Sequence, residues 1–133
     1  MEKIRVNRGI VVEVNDEGET IRINAEDQMF VNRFYDLIER LEKTQKDMEE
    51  HKDKEEREQL SLMIDKTRDI MDEIDGMFGA GACAKVFGDI VPSVYLIADF
   101  FDQLIPIVTA YADDRQKQIE SKYNRYRKGS RKK

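Results

Sequence analysis

Between Glu42 and Gln59 thirteen of eighteen residues are Lys, Arg, Asp or Glu, and Met48 is the only large apolar one. Such a run cannot enter a core, so the apolar stretches on either side of it must meet each other. On the N-terminal side Phe30, Phe34, Leu37, Ile38 and Leu41 recur at helical spacing. On the C-terminal side Leu60, Met63, Ile64, Ile70, Met71, Ile74 and Phe78 do the same. The simplest burial of the two stripes is an antiparallel helical hairpin with its tip near residues 51–54. The charged run is then either the connection between the helices or an exposed helical arm held by i,i+4 charge pairs.

Before this pair the pattern changes to period two. Ile4, Val6, Arg8, Ile10, Val12 and Val14 occupy alternate positions, with Gly9 as a bulge or break. Asn15-Asp16-Glu17-Gly18 has turn chemistry, and Thr20-Ile21-Arg22-Ile23-Asn24 alternates again. A β-hairpin over residues 1–24 is the simplest account. Two strands alone are marginal, so their Ile/Val face must lie on helices or pair with another copy. Asn24, followed by Asp27, reads as the cap of the first helix.

Around Phe78 the glycines Gly76, Gly79 and Gly81 are expected to end the second helix. A short helical turn from Cys83 to Phe87 follows, closed by Gly88. Pro92 fits the first turn of a last long helix. Val94, Ile97, Ala98, Phe101, Leu104, Ile105 and Val108 give that helix a wide apolar face, and Pro106 should kink or divide it near Gln103. The expected fold is mainly α (α+β): an N-terminal β-hairpin, a helical hairpin and a long, proline-kinked C-terminal helix. It forms a single domain over residues 1–128, made of the hairpin (1–24), the charged helix pair (25–78) and the short and long helices (79–128). Residues 129–133 are a basic tail.

With 133 residues the chain has room for one modest core. Its net charge of −5 is unevenly spread: from Arg115 onward nine basic residues face one acid, a net +8, leaving −13 on residues 1–114. The acidic body makes nucleic acid an unfavoured partner. The basic end Lys122-Tyr123-Asn124-Arg125-Tyr126-Arg127-Lys128 still interleaves tyrosines with cations, as nucleic-acid-binding segments do. A single cysteine excludes an intramolecular disulfide and fits a reducing, cytoplasmic setting. The first eight residues have no apolar run behind their charges, so they are not expected to be a signal peptide. Residues 90–112 approach membrane-spanning length, but Asp99, Asp102 and Gln103 interrupt them. Each central Asp costs roughly 2.5–3.5 kcal/mol on insertion scales, so a core helix and no membrane partner are expected.

No catalytic, cofactor or metal site is expected. Gly79 and Gly81 lack the strand and the Gly-Lys-Ser/Thr of a phosphate loop. Asp72-Glu73-Ile74-Asp75-Gly76 lacks the alternating ligands and distal Glu of a calcium loop. Cys83, flanked by alanines and far in sequence from the lone His51, reads as a packed thiol. Asp99 and Asp102 share a helix face without partner groups, and read as a polar stripe. Phe100 and Phe101 are adjacent and cannot both face one core, so one is free to meet a partner.

The series Cys83-Ala-Lys-Val-Phe87-Gly88, Pro92, Phe100-Phe101-Asp-Gln-Leu-Ile-Pro106-Ile107, Arg115 and the basic Lys122–Lys128 end resembles tail assembly chaperones of long-tailed, siphovirus-type phages and prophages of Gram-positive bacteria. The resemblance spans residues 79–128. It implies a non-catalytic protein of the bacterial cytoplasm, absent from the mature virion, that binds the tape measure protein and tail tube subunits. The candidate contact residues are Phe87, Tyr95, Phe100 and Phe101, with Arg125, Arg127 and Lys128 biasing partner choice electrostatically. A homo-oligomer fits as well. The competing expectations are a structural phage component retained in the particle and a nucleic-acid-binding accessory protein using the basic end.

Overall fold

The computed structural model describes residues 1–6, 8–50 and 55–131, with side chains up to residue 122 and at 124. The chain is mainly α-helical, opened by one two-stranded antiparallel hairpin. Strand β1, Ile10–Glu13, pairs with β2, Thr20–Ile23, in the register Ile10 to Ile23 and Val12 to Ile21. Asn15 closes the turn. Its side-chain oxygen accepts from the amides of Glu17 and Glu19 at 3.0 Å each, and Gly18 adopts φ +81°. Alternation places Ile21 and Ile23 in the core and leaves Thr20 and Arg22 in water.

The hairpin is shorter than the period-two pattern from Ile4 implied. Residues 1–6 form no strand, and Ile4 is 94% exposed. Gly9 marks the break. It sits at φ +122°, so close to the other strand that a Cβ would lie 2.5 Å from the Ile23 carbonyl oxygen. Only glycine fits there.

Helix α1, Gln28–Glu50, begins later than Asn24 predicts. Asn24 makes a turn, accepting from the Glu26 amide, and Asp27 is the residue whose carboxylate takes up the free Met29 N–H, at 3.0 Å. Helix α2, Glu56–Phe78, runs antiparallel to it. Lys66 near the middle of α2 pairs with Asp47 late in α1, while Arg33 and Arg40 reach Glu73 near the end of α2. The charged run is thus helical at both its ends, and the expected tip at residues 51–54 lies outside the described residues. Gly76 does not end α2. It lies inside the last turns, where a Cβ would come within 3.0 Å of the Arg33 guanidinium, so glycine lets that side chain lie across the helix. The helix stops at Phe78, before Gly79 at φ +112°.

One polar atom between these helices is unmatched. Thr67 is 1% exposed and its hydroxyl has no hydrogen-bond partner. Thr67→Val keeps the shape and removes that hydroxyl, so it is expected to stabilise the fold by about 1 kcal/mol in a urea titration. Destabilisation of that size would show that the hydroxyl is paired in solution.

Helix α3, Ala82–Phe87, is set between Gly81 in the left-handed region and Gly88. Helix α4, Val94–Arg131, starts two residues after Pro92. Ser93 caps it by accepting from the Leu96 amide at 3.2 Å, and Pro92 is buried just before the cap. Pro106 does not divide α4. It lies on the exposed side, where the carbonyl it leaves without an N–H partner can be hydrated. Val94, Ile97, Phe101, Leu104 and Val108 face the core. The stretch Val94–Lys122 is long and apolar enough to cross a membrane by length and composition, with 28% of its most apolar window buried within the protein.

All six phenylalanines of the chain join in this core. Phe30, Phe34, Phe101, Phe100 and Phe78 form a closed cycle of ring contacts, with centroids 5.4–6.2 Å apart, that locks α1, α2 and α4 together. Phe87 of α3 attaches to the cycle through Phe100 at 5.7 Å.

Candidate protein-binding groove

The β-hairpin, α3 and the first half of α4 enclose an open groove of about 260 Å³. Val12 and Val14 form one wall and Val86 and Phe87 another. Leu96, Phe100, Leu104 and Ile107 of α4 supply the floor, and Glu13, Asp99 and Gln103 add polar edges. Two hydrogen bonds hold the walls in place. Asn15 donates to the Lys85 carbonyl at 3.0 Å, and the Lys85 ammonium donates to the Thr20 carbonyl at 3.3 Å. The residue that closes the hairpin turn therefore also docks the hairpin on α3.

The sequence candidates separate here. Phe87 and Phe100 come together in the groove, edge to face. Phe101 does not belong with them: it is 2% exposed, in the stripe Val94-Ile97-Phe101-Leu104-Val108, and its ring packs on Phe34. Adjacent residues on a helix point about 100° apart, so burying Phe101 turns Phe100 to the groove. Tyr95 is 55% exposed and is not part of the groove lining. Arg125, Arg127 and Lys128 are carried on the α4 backbone, and their side chains lie outside the described residues.

Leu96, Ile107, Val12, Val14 and Val86 were not singled out in the sequence. Leu96, Phe100, Gln103 and Ile107 do form a second stripe at i, i+4, i+7 and i+11, beside the core stripe. The loop before α4 adds exposed Ile90 and Val91, so this end of the body offers several apolar side chains to water.

The reactive groups are arranged for structure. Cys83 is buried; its amide donates to the Asp75 carboxylate at 2.9 Å and its thiol to the Met71 carbonyl at 3.4 Å. Burial first, and then the negative charge and hydrogen bond of Asp75, push its pKa up from 9.0 to about 12. The folded protein therefore favours the neutral thiol. Its contribution is whole below about pH 9, where the unfolded thiol is also neutral, and is lost as the pH rises toward 12. Iodoacetamide at pH 8 is expected to label Cys83 only after denaturation; rapid labelling of the native protein would contradict this placement. Among the described residues no three His, Cys, Asp or Glu side chains converge as a metal site would require. On α4 Tyr111 donates to Glu26 at 2.7 Å, which raises the phenol pKa, and Arg115 pairs with the same carboxylate at 2.9 Å.

Fold and groove together define a helical α+β body with an open apolar cleft at one end. Residues 17–133 match the model of a family described as a family of unknown function (DUF6673), and the chain belongs to that family. The match begins after β1, so Val12 and Val14 of the groove wall lie outside it. Searches of curated proteins and of solved structures find no match.

Proposed function

We propose that the protein is a non-catalytic tail assembly chaperone that holds an apolar helical segment of a tape measure protein in the groove between the β-hairpin, α3 and α4. The observation that carries this reading is the groove itself: a cleft of about 260 Å³, open to water, lined by Val, Leu, Ile and Phe side chains with Glu13, Asp99 and Gln103 among them, and with Phe87 and Phe100 inside it. An amphipathic helix laid in such a cleft buries anchors at i, i+3, i+4 and i+7. A tape measure protein is a long helical chain with many such faces, and would aggregate if they stayed bare. Val86 to Ile107, which make most of the groove, fall within the stretch that resembles phage tail assembly chaperones. In this role the protein acts in the bacterial cytoplasm, recruits tail tube subunits around the covered chain, and leaves before the particle is complete.

Co-expression with the tape measure product tests the reading. The expected result is a soluble complex of the two and a larger soluble fraction of the tape measure chain. No complex, together with no gain in solubility, would refute it.

A further inference from the structure

The second half of α4 leaves the body. Every described side chain from Ala112 onward is exposed, and the ion pair of Arg115 with Glu26 ties down only the base of this arm. As one helix, the 17 residues from Arg115 to Arg131 extend roughly 25 Å at about 1.5 Å per residue. A straight helix of that length cannot fold its charges back over its own body. Arg115 is paired with Glu26, and the other cations up to Arg131 are carried on the helix beyond that pair. A polar helix without tertiary contacts is also marginal by itself, so its stability calls for a covering surface.

The charge that would complement it lies on α2. Glu58, Asp65, Asp69 and Asp72 are exposed and spaced at i, i+7, i+11 and i+14, which places them on one face. None of the four takes part in an ion pair among the described residues, whereas Asp47 and Glu73 are engaged by Lys66, Arg33 and Arg40. Exposed Leu62 lies between Glu58 and Asp65. Exposed Ile119 lies on the arm, and in the sequence Tyr123 and Tyr126 follow it at i+4 and i+7.

We propose that the basic arm of one copy docks on the acidic outer face of α2 in a second copy. Opposite charge steers the encounter, and Leu62 with Ile119 supplies apolar contact. The contact joins two different surfaces, so it serves equally a reciprocal dimer and a longer head-to-tail array. It uses neither the hairpin nor α3, and does not depend on the groove being a client site.

Light scattering and sedimentation of the full chain, at micromolar to millimolar concentration, test it. Wild type is expected to associate beyond its 15.6 kDa monomer. Its dissociation constant should rise by roughly tenfold or more between about 0.05 and 0.5 M salt. A body variant, Asp65→Lys with Asp69→Lys and Asp72→Lys, should be monomeric. So should an arm variant, Lys122→Glu with Arg125→Glu, Arg127→Glu and Lys128→Glu. Mixing the two variants restores opposite charges at the contact and should restore association, which no misfolded variant would do. A wild type that is monomeric at both salt concentrations would overturn the proposal, as would either variant associating alone, or a mixture that stays monomeric. Uptake of an oligonucleotide by a protein that does not self-associate would overturn it in favour of a nucleic-acid partner.

Discussion

Replacing Phe34 with alanine is expected to remove about 3–5 kcal/mol of folding stability, the range for deleting a buried phenylalanine ring. Phe34 is 1% exposed and touches Phe30 on its own helix and Phe101 on α4, so its loss opens the aromatic cycle where α1 meets α4. The cavity has little means of collapsing, because Phe30, Phe78, Phe100 and Phe101 are held by one another. A domain of this size is stable by only about 5–15 kcal/mol in total, so the variant should unfold at far lower denaturant concentration with an unchanged slope. A loss below about 1 kcal/mol would mean that the cycle is not the centre of the core.

The second large effect concerns binding. Leu96 is 40% exposed in the free protein and faces the groove, so Leu96→Glu should leave folding within about 0.5 kcal/mol of wild type. In the proposed complex the same side chain is covered. Losing its apolar contact costs about 1.5–3 kcal/mol, and the buried carboxylate adds to that. Affinity for the helical partner should fall by about tenfold or more. Tyr95→Ala, on the same helix but outside the groove lining, should change it little. Equal losses in the two variants would place the contact on the whole start of α4 and not in the groove.

The helices were legible because their apolar periods are long, although Thr67 interrupts the stripe of α2 and Leu60 at its start is exposed. Phe34, Leu37, Leu41, Ile70, Ile74 and Phe78 are buried as their spacing requires, and the short α3 with Gly88 behind it is found where the glycines put it. What failed depended on contacts remote in sequence. Ile4 and Val6 alternate like a strand yet stay exposed and outside the hairpin, which begins only after Gly9. Gly76 reads as a terminator but serves the passage of Arg33, a residue more than forty positions away. Pro106, read as a kink or a division of the last helix, does not divide it.

The same limit governs the groove. That one of Phe100 and Phe101 turns outward followed from helix geometry alone, but which one was decided by the register of the stripe that includes Val94 and Leu104. The walls come from Val12 and Val14 of the hairpin and Val86 and Phe87 of α3, segments remote in sequence that are held together by a hydrogen bond from Asn15 to the Lys85 carbonyl. No local pattern announces such a contact. The second stripe on α4, beginning at Leu96, was the one available signal, and it was eclipsed by the stronger core stripe beside it.

The claim that this protein works by holding an apolar helix in the cleft of β1, α3 and α4 is tested most directly by measuring its affinity for the tape measure product, purified as the co-expressed complex, in wild type and Leu96→Glu. The account predicts a soluble complex with wild type and at least about tenfold weaker binding for the variant, whose fold is unchanged by circular dichroism. No complex with wild type, or equal affinity for wild type and variant, would contradict it.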